Sequence, residues 1–145
     1  MAILDGLKGV ISGAQEKEIK KLTLNENHCS TMEDEYEIVV SGDDITVSRY
    51  IGSWRFTDED REKYLDKRVS GKKELKDKIN TALIKKIKIP DWSGFMGNDP
   101  NVLDGTSFRF EAVLSDDTKI FANGTNAYPK GYPELVELLR GIVDP

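Results

Sequence analysis

Residues 107–124 read SFRFEAVLSDDTKIFANG, and this stretch decides the fold. Phe108, Phe110, Ala112 and Leu114 fall on one side of an extended chain, with Arg109 and Glu111 on the other. Ser115-Asp116-Asp117-Thr118 supplies turn-forming residues. Residues 119–124 then bring the chain back, so the stretch predicts a β-hairpin with one apolar face.

Working outward, the same alternation recurs upstream. Tyr36, Ile38 and Val40 alternate with Glu35, Glu37 and Val39, and a turn at Ser41-Gly42-Asp43-Asp44 follows. Ile45, Val47, Arg49 and Ile51 then alternate with Thr46, Ser48 and Tyr50, which predicts a second hairpin. Residues 18–24 read as a strand with Leu22 and Leu24 on one face, and polar residues 25–34 read as a loop. Residues 57–69 allow a helix capped at Thr57 or a strand over 64–69. A lone hairpin is marginal in water and needs a further neighbour, which favours the strand.

Two helices are expected. Ser70 is a candidate cap for the first, whose stripe is Leu75, Ile79, Ala82 and Leu83. Its predicted end is Lys85, because continued α-geometry would turn Lys86 onto the stripe. Ile87 and Ile89 then predict an extended exit before Pro90. Residues 91–105, rich in glycine, read as an irregular loop. The second helix starts at Pro133 and carries Leu135, Leu138, Leu139 and Ile142 on one face. Together these elements predict an α+β fold: a mainly antiparallel sheet of five or six strands, with two helices packed on one face in two layers.

The 145 residues suit one domain, 1–145. Residues 1–15 carry Ile3, Leu4, Leu7, Val10 and Ile11 at helical spacing, interrupted by three glycines, and read as a helical arm or a flexible N-terminus. They lack the basic segment and long apolar run of a signal peptide. No apolar stretch approaches membrane-spanning length. A lone cysteine, Cys29, permits no internal disulfide and fits a reducing compartment, so a cytoplasmic protein is expected.

Charged residues are 32% of the chain, above the usual value of about 25%. The net charge is −5, which makes a poor binder of nucleic acid or anionic membrane. Within residues 61–88, however, 11 basic residues face four acids. Lys72, Lys73, Lys76, Lys78 and Lys85 form a candidate basic patch there, spread over more than one side of the first helix.

Chemical signatures are sparse. His28 adjoins Cys29, but neighbours on an extended strand point to opposite faces and no third residue orients them. Asp99-Pro100-Asn101-Val102-Leu103-Asp104-Gly105 resembles a calcium loop superficially. Leu103 stands where an oxygen ligand belongs, and Asp104 where the glycine belongs. Asp58-Glu59-Asp60 reads as a surface acidic run. Phosphate-binding glycine motifs are absent from the sequence. Neither a metal, a cofactor nor a set of catalytic residues is therefore expected.

The remaining motifs are Trp92-Ser93-Gly94-Phe95, Asp104-Gly105-Thr106-Ser107-Phe108 and Gly124-Thr125-Asn126-Ala127-Tyr128-Pro129. These W-x-G-F, D-G-x-x-[FW] and G-x-N-A-Y-P patterns resemble a family of small, uncharacterised bacterial proteins and domains, over roughly residues 75–139. The resemblance implies a helix–hairpin–helix order and a bacterial origin, and transfers no catalytic residue. Physically, Gly124 suits an unusual backbone angle at the strand end, Asn126 can bond nearby backbone, and Tyr128 with Pro129 can pack beside Trp92 and Phe95.

Size, charge and missing catalytic groups predict a non-enzymatic protein-interaction module, of immunity or accessory type, with an unidentified protein partner. The alternative is a small-ligand-binding protein or small hydrolase using Trp92, Phe95, Tyr128 and Tyr132, with Asn126 at the same surface.

Overall fold

The computed structural model describes residues 17–28, 32–52, 61–99, 101 and 106–145. In chain order they form β1 (Ile19–His28), β2 (Met32–Ser41), β3 (Asp44–Gly52), β4 (Leu65–Gly71), α1 (Lys73–Asn80), β5 (Phe95–Asn98), β6 (Thr106–Leu114), β7 (Lys119–Thr125) and α2 (Tyr132–Val143). The strands make one seven-stranded sheet, ordered β4-β3-β2-β1-β6-β7-β5. All neighbours are antiparallel except β5, which runs parallel to β7. The α+β class stands. The sheet is mixed and has seven strands, not five or six antiparallel ones.

Both predicted hairpins form. Leu22, Leu24, Tyr36, Ile38, Val47, Phe108, Phe110, Ala112 and Ala122 point to one side and join a single core with Ile79, Leu83, Leu135, Leu139 and Val143 of the helical layer. That layer therefore covers one face, and among the described residues no α-helix lies on the other. A register shift between Ile19 and Lys21 turns Ile19 inward as well as Leu22. The N–H of Ile19 is donated to the Oδ1 of Asn80, 2.7 Å away, so the buried amide of α1 satisfies the displaced strand.

Several local expectations are corrected. Residues 25–28 and 32–34 extend β1 and β2 instead of forming a loop. Ser70 pairs with Thr46 in the sheet, so it is unavailable as a cap, and Lys72 precedes the helix without a side-chain cap. Gly71 permits this abrupt start, since a Cβ there would stand 2.8 Å from the Cβ of Leu75. The strand reading of 64–69 stands as β4, preceded by one 3-10 turn, Glu62–Tyr64. Thr57 lies outside the described residues, as do residues 1–15.

The conflict at Lys86 is resolved by a change of helix type. After Asn80 the chain continues through a π-helical stretch, Thr81–Ile87. Its i→i+5 bonding takes an extra residue into the turn, which rotates Ile87 inward and leaves Lys86 exposed. Lys88 then adopts a left-handed conformation, φ 62°, and stops the helix. Ile89–Trp92 is a 3-10 turn with Pro90 in its first positions, so the expected extended exit is absent. The expected loop after it contains β5. The N–H of Gly94 is donated to the carbonyl of Phe121 at 2.9 Å, which starts the β5–β7 pairing.

Candidate functional site

The face opposite α1 and α2 is not uniformly open. Over β3, Arg61 lies on the Tyr50 ring, 4.5 Å from its centre. Arg68 donates to the Ser48 hydroxyl at 3.0 Å and the Tyr50 hydroxyl at 2.9 Å. Arg61 also pairs with Glu35 at 2.5 Å and Glu37 at 3.2 Å. The part over β1, β6, β7 and the Glu33 end of β2 carries no such cover among the described residues.

Strand register assembles that part into two rows. Glu35, Asn25, Arg109 and Asn123 stand side by side across β2, β1, β6 and β7. Glu33, Asn27, Ser107 and Thr125 form the adjacent row. Between them runs a groove of about 500 Å³, lined mainly by polar atoms and including Asn25, Asn27, Glu33, Arg109, Asn123 and Thr125. Asparagine is depleted in strands. Three of them from two different strands meet at one belt, where local preference argues against each.

Glu33 is the unusual member. It is only 9% exposed, and its Oε2 has no hydrogen-bond partner among the described residues. Burial raises its carboxyl above the ordinary 4.5, while an Asn25 side-chain hydrogen bond and Arg109 pull the other way. Glu35 is likewise raised by burial, against the pull of Arg61, with Glu37 and Glu33 adding to the rise. Asp116 is held down at about 2, first by bonds from Thr118 and then by Lys17. Asp144 is lowered by Arg49 and Glu62 by Arg68.

These shifts set the pH response. A carboxyl raised in the folded state favours folding more as pH falls from neutral toward 4.5. A lowered carboxyl contributes fully above its unfolded value, and that contribution is lost as pH falls through its folded value. For Asp116 the loss runs from 3.8 to about 2. Thermal stability is therefore expected to rise from pH 7 to about 4.5 and to fall below it. Glu33→Gln should flatten the upper arm. A melting series in which wild type loses stability steadily from pH 7 downward contradicts this.

The residues singled out by sequence are placed as follows. Trp92 and Tyr132 are buried core members, Phe95 is half-buried and Tyr128 is 40% exposed. The rings form a chain of contacts. Tyr128 lies 4.6 Å from Tyr132 and 5.5 Å from Phe108, Phe95 lies 6.2 Å from Phe108, and Trp92 lies 6.2 Å from Tyr132. Trp92 donates its Nε1–H to the carbonyl of Lys130 at 2.9 Å, tying the segment before α2. Tyr132 donates its hydroxyl to buried Glu26, and burial with that bond keeps the phenol protonated. Trp92, Phe95 and Tyr128 border one groove of about 510 Å³, while Tyr128 and Tyr132 border a more apolar one of about 800 Å³ along α2.

One motif reading changes. Gly124 has no positive φ, and the left-handed residue is Asn126, φ 57°. The Oδ1 of Asn126 accepts the N–H of Thr106 at 3.0 Å, and its own N–H is donated to the Thr106 carbonyl at 2.9 Å. It thus bonds nearby backbone and extends the β6–β7 ladder.

The basic patch is largely neutralised. Lys72 meets Asp44 and Lys73 meets Asp77, each at 2.5 Å. Lys76 is buried, its Nζ 3.2 Å from the Gly42 carbonyl, 3.5 Å from Asp43 and 3.7 Å from Glu18. Lys78 and Lys85 are exposed. His28 ends β1, while Cys29 and the run Asp58-Glu59-Asp60 lie outside the described residues. Of the calcium-like segment, Pro100 and residues 102–105 also lie outside. Asp99 accepts the N–H of Asn101 at 3.1 Å. Among the described residues no cluster of three metal-ligating side chains occurs, and no helix is long and apolar enough to cross a membrane.

Sequence reasoning passed over the polar belt. The available signal was Asn25-Glu26-Asn27, whose alternate residues face one side once the segment is read as strand. Comparison of the chain with protein-family models, with curated proteins and with solved structures gives no match.

Proposed function

We propose that the chain works by binding a small polar ligand in the groove on the face of its sheet opposite α1 and α2. The observation that carries this reading is Glu33, a buried carboxylate with an oxygen unpartnered among the described residues, on the wall of that groove. Leaving a buried polar atom unsatisfied costs about 1–3 kcal/mol, so a ligand that donates to it recovers this cost. The aromatic region is the weaker candidate, because Trp92 and Tyr132 are already committed to the core and to their hydrogen bonds. A bacterial family relationship and a cytoplasmic location belong to the same proposal, resting on the motifs and the single cysteine.

The test is thermal denaturation against a panel of small polar metabolites, with Arg109→Ala as the paired variant. Wild type is expected to melt higher with at least one compound, and the variant to lose that response. A panel that raises neither protein, or raises both equally, removes the proposal. The second reading is a protein-interaction module of immunity or accessory type. It is favoured by Met96 and Phe121, 79% and 51% exposed, which sit diagonally on this face where β5 meets β7. It requires no small-molecule response.

A further inference from the structure

We infer that the ligand of this groove is a neutral, polyhydroxylated molecule of saccharide type, an inference that rests on the binding proposal above. Three observations lead there.

The first is charge balance. The groove wall carries one carboxylate, Glu33, and one guanidinium, Arg109. A net anion faces Glu33 and a net cation faces Arg109, and each leaves one wall charge uncompensated in a partly desolvated site. A neutral ligand does neither.

The second is the kind of hydrogen bonding on offer. Asn27 and Asn123 each present a donor NH₂ and an acceptor carbonyl side by side, Asn25 gives its NH₂ to Glu33 and Glu35 and adds a carbonyl, and Thr125 presents a hydroxyl. A hydroxyl group is itself both donor and acceptor. A planar amide therefore meets two vicinal hydroxyls at once, giving to one and taking from the other. Glu33 accepts and Arg109 donates at the two sides of the belt. A zwitterion would use these last two groups and leave the amides of Asn27 and Asn123 without a role.

The third is shape. The rows run over four strands, hence three inter-strand gaps of about 4.8 Å or about 14 Å in all. That length fits two linked sugar rings better than one. The volume lies within the roughly 300–1,000 Å³ of small-molecule sites, but the polar lining departs from their usual apolar character, as a polar ligand requires. Phe121, two residues before Asn123 and on the same face of β7, offers an exposed ring against which the C–H face of a sugar can lie.

The experiment is a nuclear magnetic resonance titration of the full chain, observing the side-chain amides of Asn25, Asn27 and Asn123. The probes are neutral disaccharides (maltose, lactose, cellobiose and chitobiose) beside three charged ones: glycine, inorganic phosphate and putrescine. At least one disaccharide is expected to shift these amides saturably. Asn123→Ala should weaken it about tenfold, the worth of one such hydrogen bond, with Asn27→Ser as a second variant should the first lose its dispersed spectrum. Shifts produced only by a charged probe overturn the saccharide inference and leave the groove reading standing. A disaccharide that shifts backbone amides around Trp92 and Tyr128, and not these three, also overturns it. No shift with any probe removes both.

Discussion

Replacing Gly124 by alanine is expected to destabilise the fold by about 3 kcal/mol, the upper end of the roughly 1–3 seen for overpacking. The added Cβ would come well inside contact distance of the Ala127 carbonyl oxygen and stand 2.8 Å from Cε1 of Phe108. Neither neighbour is free to yield. Ala127 follows Asn126, whose backbone and side chain both bond Thr106. Phe108 is held between Tyr132 at 4.8 Å and Tyr128 at 5.5 Å. Relief by moving the strand would break the ladder between Phe108 and Gly124 themselves. Chemical denaturation should show the loss as a lower midpoint with an unchanged slope. A midpoint within experimental error of wild type would mean that the G-x-N-A-Y-P turn is softer than this geometry allows. Alanine at Gly94 serves as the contrast: nothing lies within 4 Å of a Cβ there, and only its φ of 81° opposes substitution.

Elements whose residues obey a single period were legible in the sequence: both hairpins, the stripe of α1 and the face of α2. Where a residue serves the site or an adjacent element, its local preference misleads. Asn25 and Asn27 disfavour strands, so the end of β1 reads as loop, yet those residues form the groove. Ser70 has a capping side chain but pairs in the sheet. Lys86 forecasts a helix end, and the helix instead widens its turn to keep Ile87 buried. β5 has four residues, one of them glycine, and pairs in parallel with a strand more than twenty residues later. No local pattern announces such a contact. The candidate site was illegible for the same reason, since its two rows exist only through the register of four strands. Consistency across levels identifies the scaffold, and the departures from it fall at the polar belt and where one element gives way to the next.

The largest loss is expected from Phe110→Ala, about 3–5 kcal/mol, the range for removing a buried phenylalanine. Phe110 is fully buried on β6, a strand with neighbours on both sides. It lies opposite Leu24 on β1 and Ala122 on β7, and its ring meets Trp92 edge-on, 4.9 Å between centres. Ala122 is too small to fill the space, and Trp92 is held by its bond to the Lys130 carbonyl. The site therefore collapses little, which places the cost at the cavity-dominated end. At about 2–4 °C per kcal/mol for a chain of this size, the melting temperature should fall by roughly 6–20 °C. Groove binding supplies a further discriminator, because Arg109 and Glu111 flank Phe110 on the opposite face. If the strand keeps its register, Phe110→Ala lowers stability and leaves ligand affinity unchanged where the protein is still folded. A loss of affinity at such a temperature would mean instead that the core side chain sets the spacing of the belt, and the two faces of β6 would have to be treated as one coupled unit.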